Sequence, residues 1–205
     1  MLERAARAHE DVLARALGAD ALLPFRFGVV VAGEDDVRAL LRADAGSFAA
    51  RLATVRGARE WGVKALLDVE LLGDALVADD PTLAELRSGA GSGTGSAFFA
   101  RKRFEQQLTD RVRDAAAELA QVAHERLAGC ARDAVANPPQ PRGLSGHDAE
   151  MILNGAYLVE RDREEELGAV VEELRAELEP QGVTLEPTGP WPPFNFVDAA
   201  AEQVL

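Results

Sequence analysis

The chain has 205 residues, enough for one large domain or two small ones. Its 22 basic and 35 acidic side chains give a formal net charge of −13, which repels a phosphate backbone, so we expect no nucleic-acid partner. An apolar fraction of 47% excludes wholesale disorder, and no stretch approaches the roughly 18 apolar residues of a membrane span. A single cysteine, Cys130, excludes an intrachain disulfide. With no secretory signal pattern at its start, the chain is expected to be intracellular.

Two helices and a strand are predicted in the first part of the chain. Residues 2–17 carry apolar side chains at helical spacing. The apolar run at 22–31 ends in three valines and predicts a buried strand. Residues 34–55 return to helical spacing and predict one helix, ended by Gly57. These elements form a small α/β segment that we assign to residues 1–58.

The next elements begin with the clearest alternation in the chain. Period-two patterning over residues 60–71 predicts a strand. Residues 73–96 are rich in turn formers and predict one short helix near 82–87, followed by a flexible glycine–serine linker at 88–96. A long helix is expected at 99–127, then a weaker strand at 130–136.

The remaining elements are a strand at 149–160, a helix at 162–179 and a short strand at 183–188. From residue 59 onward the predicted order is βαββαβ, which is typical of an α+β, ferredoxin-like antiparallel sheet with helices on one face. We therefore assign residues 59–205 to a C-terminal domain of this kind. The first and third strands would be central, and Pro187 places the fourth at an edge.

The predicted solvent face of this sheet is mixed, since apolar Leu66, Ile152, Ala156 and Leu158 lie among polar residues. The N-terminal segment, the C-terminal tail or a partner protein could cover it. Ordinary exposure of apolar side chains is the other interpretation, and the sequence leaves these open.

Two histidines stand where a zinc-protease helix would begin. His9 and His124 are each followed by glutamate, but Leu13 and Ala128 occupy the positions of the second histidine, so no metal site is expected. His9 is expected to be satisfied by a neighbour. Ser145 and His147 share a loop, without the sharp turn that presents a nucleophilic serine.

Charged and glycine-rich stretches also lack a complete motif. The glycines at 89–95 match neither common phosphate-binding loop, although an anion could be held by the basic residues at 101–103. The glutamates at 164–179 are expected to form a solvated helix face rather than a cation site. Cys130 is expected to be a small buried apolar residue. We expect no catalytic residues, metal or cofactor.

The C-terminal tail, residues 188–196, combines three prolines with three aromatic residues. Prolines stiffen a backbone, and aromatic side chains present large apolar surfaces at low ordering cost. The tail either packs over the sheet or anchors a partner. Trp191, Phe194 and Phe196 are therefore our candidate protein-interaction residues.

Five stretches in order resemble the gas vesicle protein GvpL/GvpF family and span nearly the whole chain: residues 22–28, 60–64, 144–146, 151–159 and 188–197. The resemblance implies a modified ferredoxin-like C-terminal domain and no catalytic residues. It further implies a non-enzymatic accessory or minor structural protein in the gas vesicle, a cytoplasmic organelle. Its partners in vesicle assembly would be the shell protein GvpA and other gas vesicle proteins.

One departure from the family is that its members usually begin with a further α+β segment before the first helix. That difference affects any partner contact made through such a segment. The alternative to the assembly function is a ferredoxin-like small-molecule sensor or enzyme, with its ligand at residues 101–103 or beside the sheet.

Overall fold

The structure is a computed structural model that describes residues 2–90, 95–141 and 149–197. The elements in chain order are α1 (Leu2–Ala16), α2 (Glu34–Ala43), α3 (Ala45–Val55), β1 (Ala58–Leu67), α4 (Val69–Asp79), α5 (Pro81–Ala90), α6 (Gly95–Gly129), β2 (Asp133–Asn137), β3 (Glu150–Glu160), α7 (Glu164–Leu178) and β4 (Val183–Trp191). Short 3₁₀ turns at Arg161–Arg163 and Glu179–Gln181 flank α7. The result is a mixed α+β fold.

The four strands form one antiparallel sheet in the order β2-β3-β1-β4. The two best-patterned strands, β1 and β3, are in the centre, where the predicted element order placed the first and third strands. Pro187 lies on the edge strand β4. An edge tolerates proline because only one side of the strand needs its N–H groups for pairing.

The first strand is shorter than predicted, because Asp68 starts a helix. The Asp68 carboxylate accepts hydrogen bonds from the backbone N–H groups of Glu70 and Leu71, both at 3.0 Å. Residues 69–71 therefore belong to the first turn of α4, although their alternation continues that of the strand. The Asp68 cap determines the structure here in spite of the period-two pattern, because it satisfies helix N–H groups that otherwise lack partners.

The turn-rich stretch between β1 and β2 is more helical than predicted. It contains α4 and α5, and Asp80 caps α5 by accepting from the Thr82 N–H at 2.9 Å. The expected linker at 88–96 is partly helical, because α5 extends to Ala90 and α6 begins at Gly95. Its middle, residues 91–94, lies outside the described residues. Among the described residues, three helices therefore connect β1 to β2, rather than the one short helix, the linker and the one long helix that we expected.

The predicted helix at 34–55 is two helices, α2 and α3, with a break at Asp44. The backbone there leaves helical geometry, at φ −111° and ψ 18°. Asp44 still donates its N–H to the Leu40 carbonyl at 3.1 Å and accepts from the Phe48 N–H at 2.9 Å. The break is therefore a tight junction at a residue with low helix propensity.

The predicted strand at 22–31 is wrong. None of the described strands includes these residues, and the three valines at its end are exposed, with Val30 at 85%. β-branched residues favour a strand only where a neighbouring strand supplies hydrogen bonds. No such neighbour is present among the described residues.

The main core lies between the sheet and helices α6 and α7, and includes Val63, Tyr157, Leu127, Leu174 and Leu185. A smaller cluster on the other face of the sheet joins Leu158 and Ala58 to Val55 at the end of α3 and to Val197 in the tail. Leu23 and Phe196 pack against this cluster. The mixed sheet face is thus partly covered by the N-terminal segment and the tail. The division at residue 58 remains a prediction, and β1 begins there.

Candidate protein-interaction surface

The C-terminal tail turns back across the sheet directly after β4. The Gly189–Pro190 peptide bond is cis, and β4 ends at Trp191. Pro192 and Pro193 are buried. Backbone hydrogen bonds from Phe194 to the Pro192 carbonyl (2.7 Å) and from Phe196 to the Pro193 carbonyl (3.2 Å) then curl the chain. The tail is thus held in a defined shape.

A buried carboxylate secures this tail. Among the residues that the structure describes, the one charged side chain that is buried belongs to Glu60 on β1, which is 5% exposed. Its side-chain oxygens accept from the backbone N–H of Asn195 at 2.9 Å and from the Asn195 side-chain amide at 2.6 Å. Burial raises the pKa of the Glu60 carboxyl, and the two Asn195 hydrogen bonds oppose that rise.

We call the contact between Glu60 and Asn195 the latch. Near it, glycines on β1 and β4 let the two strands lie close together. A Cβ atom at Gly62 would lie 2.7 Å from the Thr188 hydroxyl oxygen, so a side chain at position 62 would displace that hydroxyl. Gly189 has φ +124°, a conformation that side chains disfavour. The Thr188 hydroxyl accepts from the Trp191 indole N–H at 3.1 Å. The direction of the Trp191 ring is therefore set by its own strand.

The three candidate interaction residues are not equivalent. Trp191 is 50% exposed and Phe194 is 42% exposed. Phe196 instead packs against the smaller core cluster beside Val197 and Leu23. The tail therefore packs Phe196 into the protein and leaves Trp191 and Phe194 exposed to solvent. We call the exposed pair, Trp191 and Phe194, the aromatic platform.

Arginine side chains tie the N-terminal segment to the same end of the sheet. The Arg161 guanidinium donates to the Ala19 carbonyl, and the Arg161 N–H donates to the Gly57 carbonyl at 3.1 Å. Arg132 donates to the Thr54 carbonyl at 2.8 Å. Trp191 contacts a small crevice that Ala19 also lines. One side of Trp191 therefore faces the N-terminal segment.

A second exposed apolar surface lies in the N-terminal segment. Leu2, Phe27, Val30 and Leu41 are exposed around a groove of about 610 Å³ between α1, α2 and residues 25–31. His9 packs its ring edge-on to Phe27, with ring centroids 5.7 Å apart. We expected a neighbour to form a hydrogen bond with His9. This prediction is wrong for its buried Nε2 atom, which has no hydrogen-bond partner among the described residues.

The groups considered for chemistry are engaged elsewhere. His124 Nδ1 lies 3.0 Å from the hydroxyl of Tyr157, which is fully buried. Cys130 is buried, as expected, and burial followed by the nearby Glu166 carboxylate raises the pKa of its thiol. Ser145 and His147 lie outside the described residues. Among those described, no group of three His, Cys, Asp or Glu side chains could hold a metal ion.

The acidic face of α7 is more structured than the predicted solvated surface. The Glu164 carboxylate accepts from the Arg59 guanidinium at 2.7 Å and from the Trp61 indole at 3.2 Å. Arg126 of α6 bridges to Glu173 at 2.9 Å and to Glu177 at 2.6 Å. These carboxylates therefore join α7 to β1 and to α6.

Sequence reasoning missed Glu60 and Asn195. Glu60 stands in an alternating strand at a position that the pattern assigned to solvent. The available signal was Asn195 itself, which is a polar residue between two phenylalanines of the tail. Nothing in the sequence, however, indicates that this amide meets a buried carboxylate 135 residues away.

Across the described residues, no helix combines the length and apolar content that crossing a membrane requires.

The fold and site define an α+β protein whose candidate surface is an exposed aromatic pair on an ordered tail. The model of the family described as gas vesicle synthesis protein GvpL/GvpF matches residues 1–198. The chain belongs to this family, which confirms the resemblance and places it among gas vesicle proteins.

Individual relatives agree with this assignment. The chain is 32% identical over 203 residues to gas vesicle protein L of Streptomyces sp. (strain CB03234), covering 99% of this chain and 72% of that protein. It is 33% identical over 195 residues to gas vesicle protein F of the same strain, covering 93% and 76%. The chain is therefore about equally similar to a relative named gas vesicle protein L and to one named gas vesicle protein F.

Solved structures share the fold. The crystal structure of gas vesicle protein GvpF from Anabaena sp. PCC7120 superposes with a TM-score of 0.77 at 22% identity, covering 95% of this chain and 78% of that one. GvpF from Microcystis aeruginosa gives a TM-score of 0.64 at 21% identity, covering 94% and 75%. At this identity the likeness concerns the fold alone.

Proposed function

We propose that this chain is a gas vesicle accessory or minor structural protein, which acts in vesicle assembly by contacting the shell protein GvpA and other gas vesicle proteins. It does so without catalysing a reaction. The observation that carries this proposal is the aromatic platform, where Trp191 and Phe194 are half exposed on a tail secured by Glu60 and Asn195.

An ordered aromatic pair is suited to a protein partner. Tryptophan is enriched among the residues that dominate binding energy at interfaces, and a stiff side chain loses little entropy when it is covered. Here the indole of Trp191 is already oriented by Thr188, and the prolines on either side restrict the backbone. Pre-ordering of this kind lowers the cost of association.

The non-enzymatic part of the proposal draws on how the reactive groups are used. His124 is paired with Tyr157, and Cys130 is buried with a raised thiol pKa, which disfavours the nucleophilic thiolate. The basic turn proposed for a ligand has Arg101 paired with Glu105 at 2.9 Å. These pairings disfavour catalysis by His124 or Cys130 and disfavour an anion at residues 101–103.

We further propose that the sheet and helices α6 and α7 are a ferredoxin-like unit in which α4 and α5 are additions to the first crossover. The antiparallel order β2-β3-β1-β4 supports this topology. A crystal structure of this chain tests it. A strand order other than β2-β3-β1-β4 would contradict it.

The test of function is capture of purified shell protein and of identified accessory proteins by this chain. Replacing both Trp191 and Phe194 with alanine is expected to abolish the capture. The matched control replaces Phe98 and Phe99, which are exposed aromatic residues near the start of α6, far from the tail in sequence. Loss of capture in the platform variant with retention in the control supports the proposal. Equal capture by all three proteins would contradict it.

A further inference from the structure

An open groove of about 830 Å³ lies along α6, between α4 and the beginning of β3. Its apolar surface includes Leu108 and Val112 of α6 and Met151 of β3. Gly73 of α4 and Ala117 of α6 line it without long side chains, which leaves the hollow open. The volume falls within the roughly 300–1,000 Å³ of cavities that take a drug-sized molecule or a few large side chains.

The charged side chains that line this groove are mostly acidic. Glu70 and Asp74 of α4 lie on one side and Glu150 of β3 on another, against one lining guanidinium, Arg113. Asp74 also lies 3.3 Å from the guanidinium of Arg87, so Asp74 keeps only part of its charge for a partner. The Arg113 charge is already shared, because Asp110 and Asp114 both lie 3.3 Å from it. The groove thus combines an apolar floor with a negative rim.

The walls favour a helical occupant. Residues 108–117 of α6 extend along the groove for about 15 Å, which corresponds to nearly three turns of helix. The backbone groups of α4 and α6 are bonded within the helices, so these walls offer side-chain pockets rather than a free strand edge. Such a surface recognises apolar residues at positions i, i+3, i+4 and i+7 of an amphipathic helix.

We propose that this groove binds an amphipathic helix of a partner protein, with its apolar face against α6 and with lysine or arginine residues against Glu70, Asp74 and Glu150. We call it the α4–α6 groove. None of its lining residues belongs to the aromatic platform, so it would give the protein a second docking surface. This inference goes beyond the proposed function and does not depend on it.

The probe is a fluorescein-labelled 18-residue helical peptide, with leucine at the i, i+3, i+4 and i+7 positions and lysine along the flanks of that face. Fluorescence anisotropy with the full chain is expected to show saturable binding that weakens as salt rises. A peptide with glutamate in place of every lysine is expected to bind at least about tenfold more weakly, since like charges would meet at the rim.

Two pairs of variants locate the site. Ala117→Arg places a long cation over the groove and is expected to weaken binding of the lysine peptide by at least about tenfold. Ala50→Arg makes the same change at an exposed position of α3 that does not line the groove, and is expected to have no effect. Thr109→Arg is a second blocking variant, should Ala117→Arg fail to fold.

The second pair tests the charge. Glu70→Gln with Asp74→Asn is expected to weaken binding about three- to tenfold and to reduce its salt dependence. Glu10→Gln with Asp36→Asn removes the same charge from exposed positions on α1 and α2 and is expected to leave binding unchanged.

Three results would overturn the proposal. The first is equal affinity for the lysine and glutamate peptides. The second is unchanged affinity in folded Ala117→Arg and Thr109→Arg proteins. The third is binding that appears only when residues 142–148 are replaced by a glycine–serine segment of equal length, because this chain's own segment would then be the occupant. Since the probe is synthetic, each result leaves the capture experiment on the aromatic platform to be judged separately.

Discussion

Glu60 and Asn195 are 135 residues apart in the chain, yet the backbone N–H and the side-chain amide of Asn195 both donate to the carboxylate of Glu60 on the central strand β1. This contact joins the tail to the sheet face that carries the smaller core cluster. It also fixes the position of the segment that carries two exposed aromatic residues. The contribution of this contact to the free energy of unfolding can be measured with variants of Asn195 and Glu60.

Replacing Asn195 with alanine removes the side-chain donor and leaves a buried carboxylate under-satisfied. Hydrogen bonds to charged groups contribute roughly 1.5–3 kcal/mol, so we expect the free energy of unfolding to fall by about that amount in urea denaturation. Asn154→Ala is the control, because the Asn154 amide donates to a neutral carbonyl of Pro138 at 3.3 Å. A loss at Asn195 no greater than that at Asn154 would argue against a latch.

The pH dependence of stability should reveal the same carboxyl. Because the Glu60 pKa is raised in the folded protein, the folded state binds its proton more tightly than the unfolded state does. Its contribution to stability is complete below the ordinary value of about 4.5 and is lost as pH rises through the raised pKa. Relative to Glu60→Gln, the wild type should therefore lose stability as pH rises above about 4.5.

Glu166 supplies a comparison of opposite sign. Its hydrogen bonds from Arg163 lower the pKa of the Glu166 carboxyl. That contribution is present above the ordinary value and is lost as pH falls through the lowered pKa. Unfolding curves of Glu60→Gln and Glu166→Gln between pH 3 and 7 should therefore diverge from the wild type in opposite directions. Parallel divergence would show that the Glu60 carboxyl is not desolvated.

Gly155 is expected to be intolerant of a side chain. The Tyr157 ring folds back over it, and a Cβ atom at 155 would lie 2.3 Å from the Tyr157 hydroxyl oxygen. The ring cannot swing aside freely, since it is fully buried and bonded to His124. We expect Gly155→Ala to lower the free energy of unfolding by more than about 3 kcal/mol.

Gly168 is the control for the Gly155 prediction, because the same change to alanine there meets no neighbouring atom. It lies inside α7, and an added Cβ would meet nothing within 4 Å. Gly168→Ala should raise the free energy of unfolding by about 0.5–1 kcal/mol through helix propensity. Thermal or urea unfolding of the two variants checks both signs, and destabilisation by Gly168→Ala would refute the packing of α7 described above.

The aromatic residues of the tail should separate into two kinds. Phe196→Ala removes a ring from the smaller core cluster and should cost about 2–3 kcal/mol of unfolding free energy. Trp191→Ala removes a half-exposed ring and one exposed hydrogen bond, and should cost about 1 kcal/mol. A larger loss at Trp191 than at Phe196 would reverse their roles as platform and core.

Local patterns account for much of this fold. The alternation in β1 and β3 predicted both strands, because a strand buried on one face must place apolar residues at every second position. The order of the elements then placed both strands in the centre. Pro187 predicted an edge, since proline lacks an N–H for a second neighbour. Where patterns failed, a competing local interaction or a missing neighbour decided the outcome. Asp68 ended β1 by capping α4, and the valines at 29–31 found no strand to pair with among the described residues.

The sequence by itself determined the helices and strands with strong periodicity, the α+β class and membership in the GvpL/GvpF family. It also identified the tail as unusual. Only the tertiary structure decided that Glu60 is buried, that Phe196 packs inward and that Trp191 and Phe194 face outward. Periodicity records which face of its own element a residue occupies, whereas these outcomes depend on what another part of the chain places against that face. The pairing of Glu60 with Asn195 is such a contact, and it holds the aromatic platform in position.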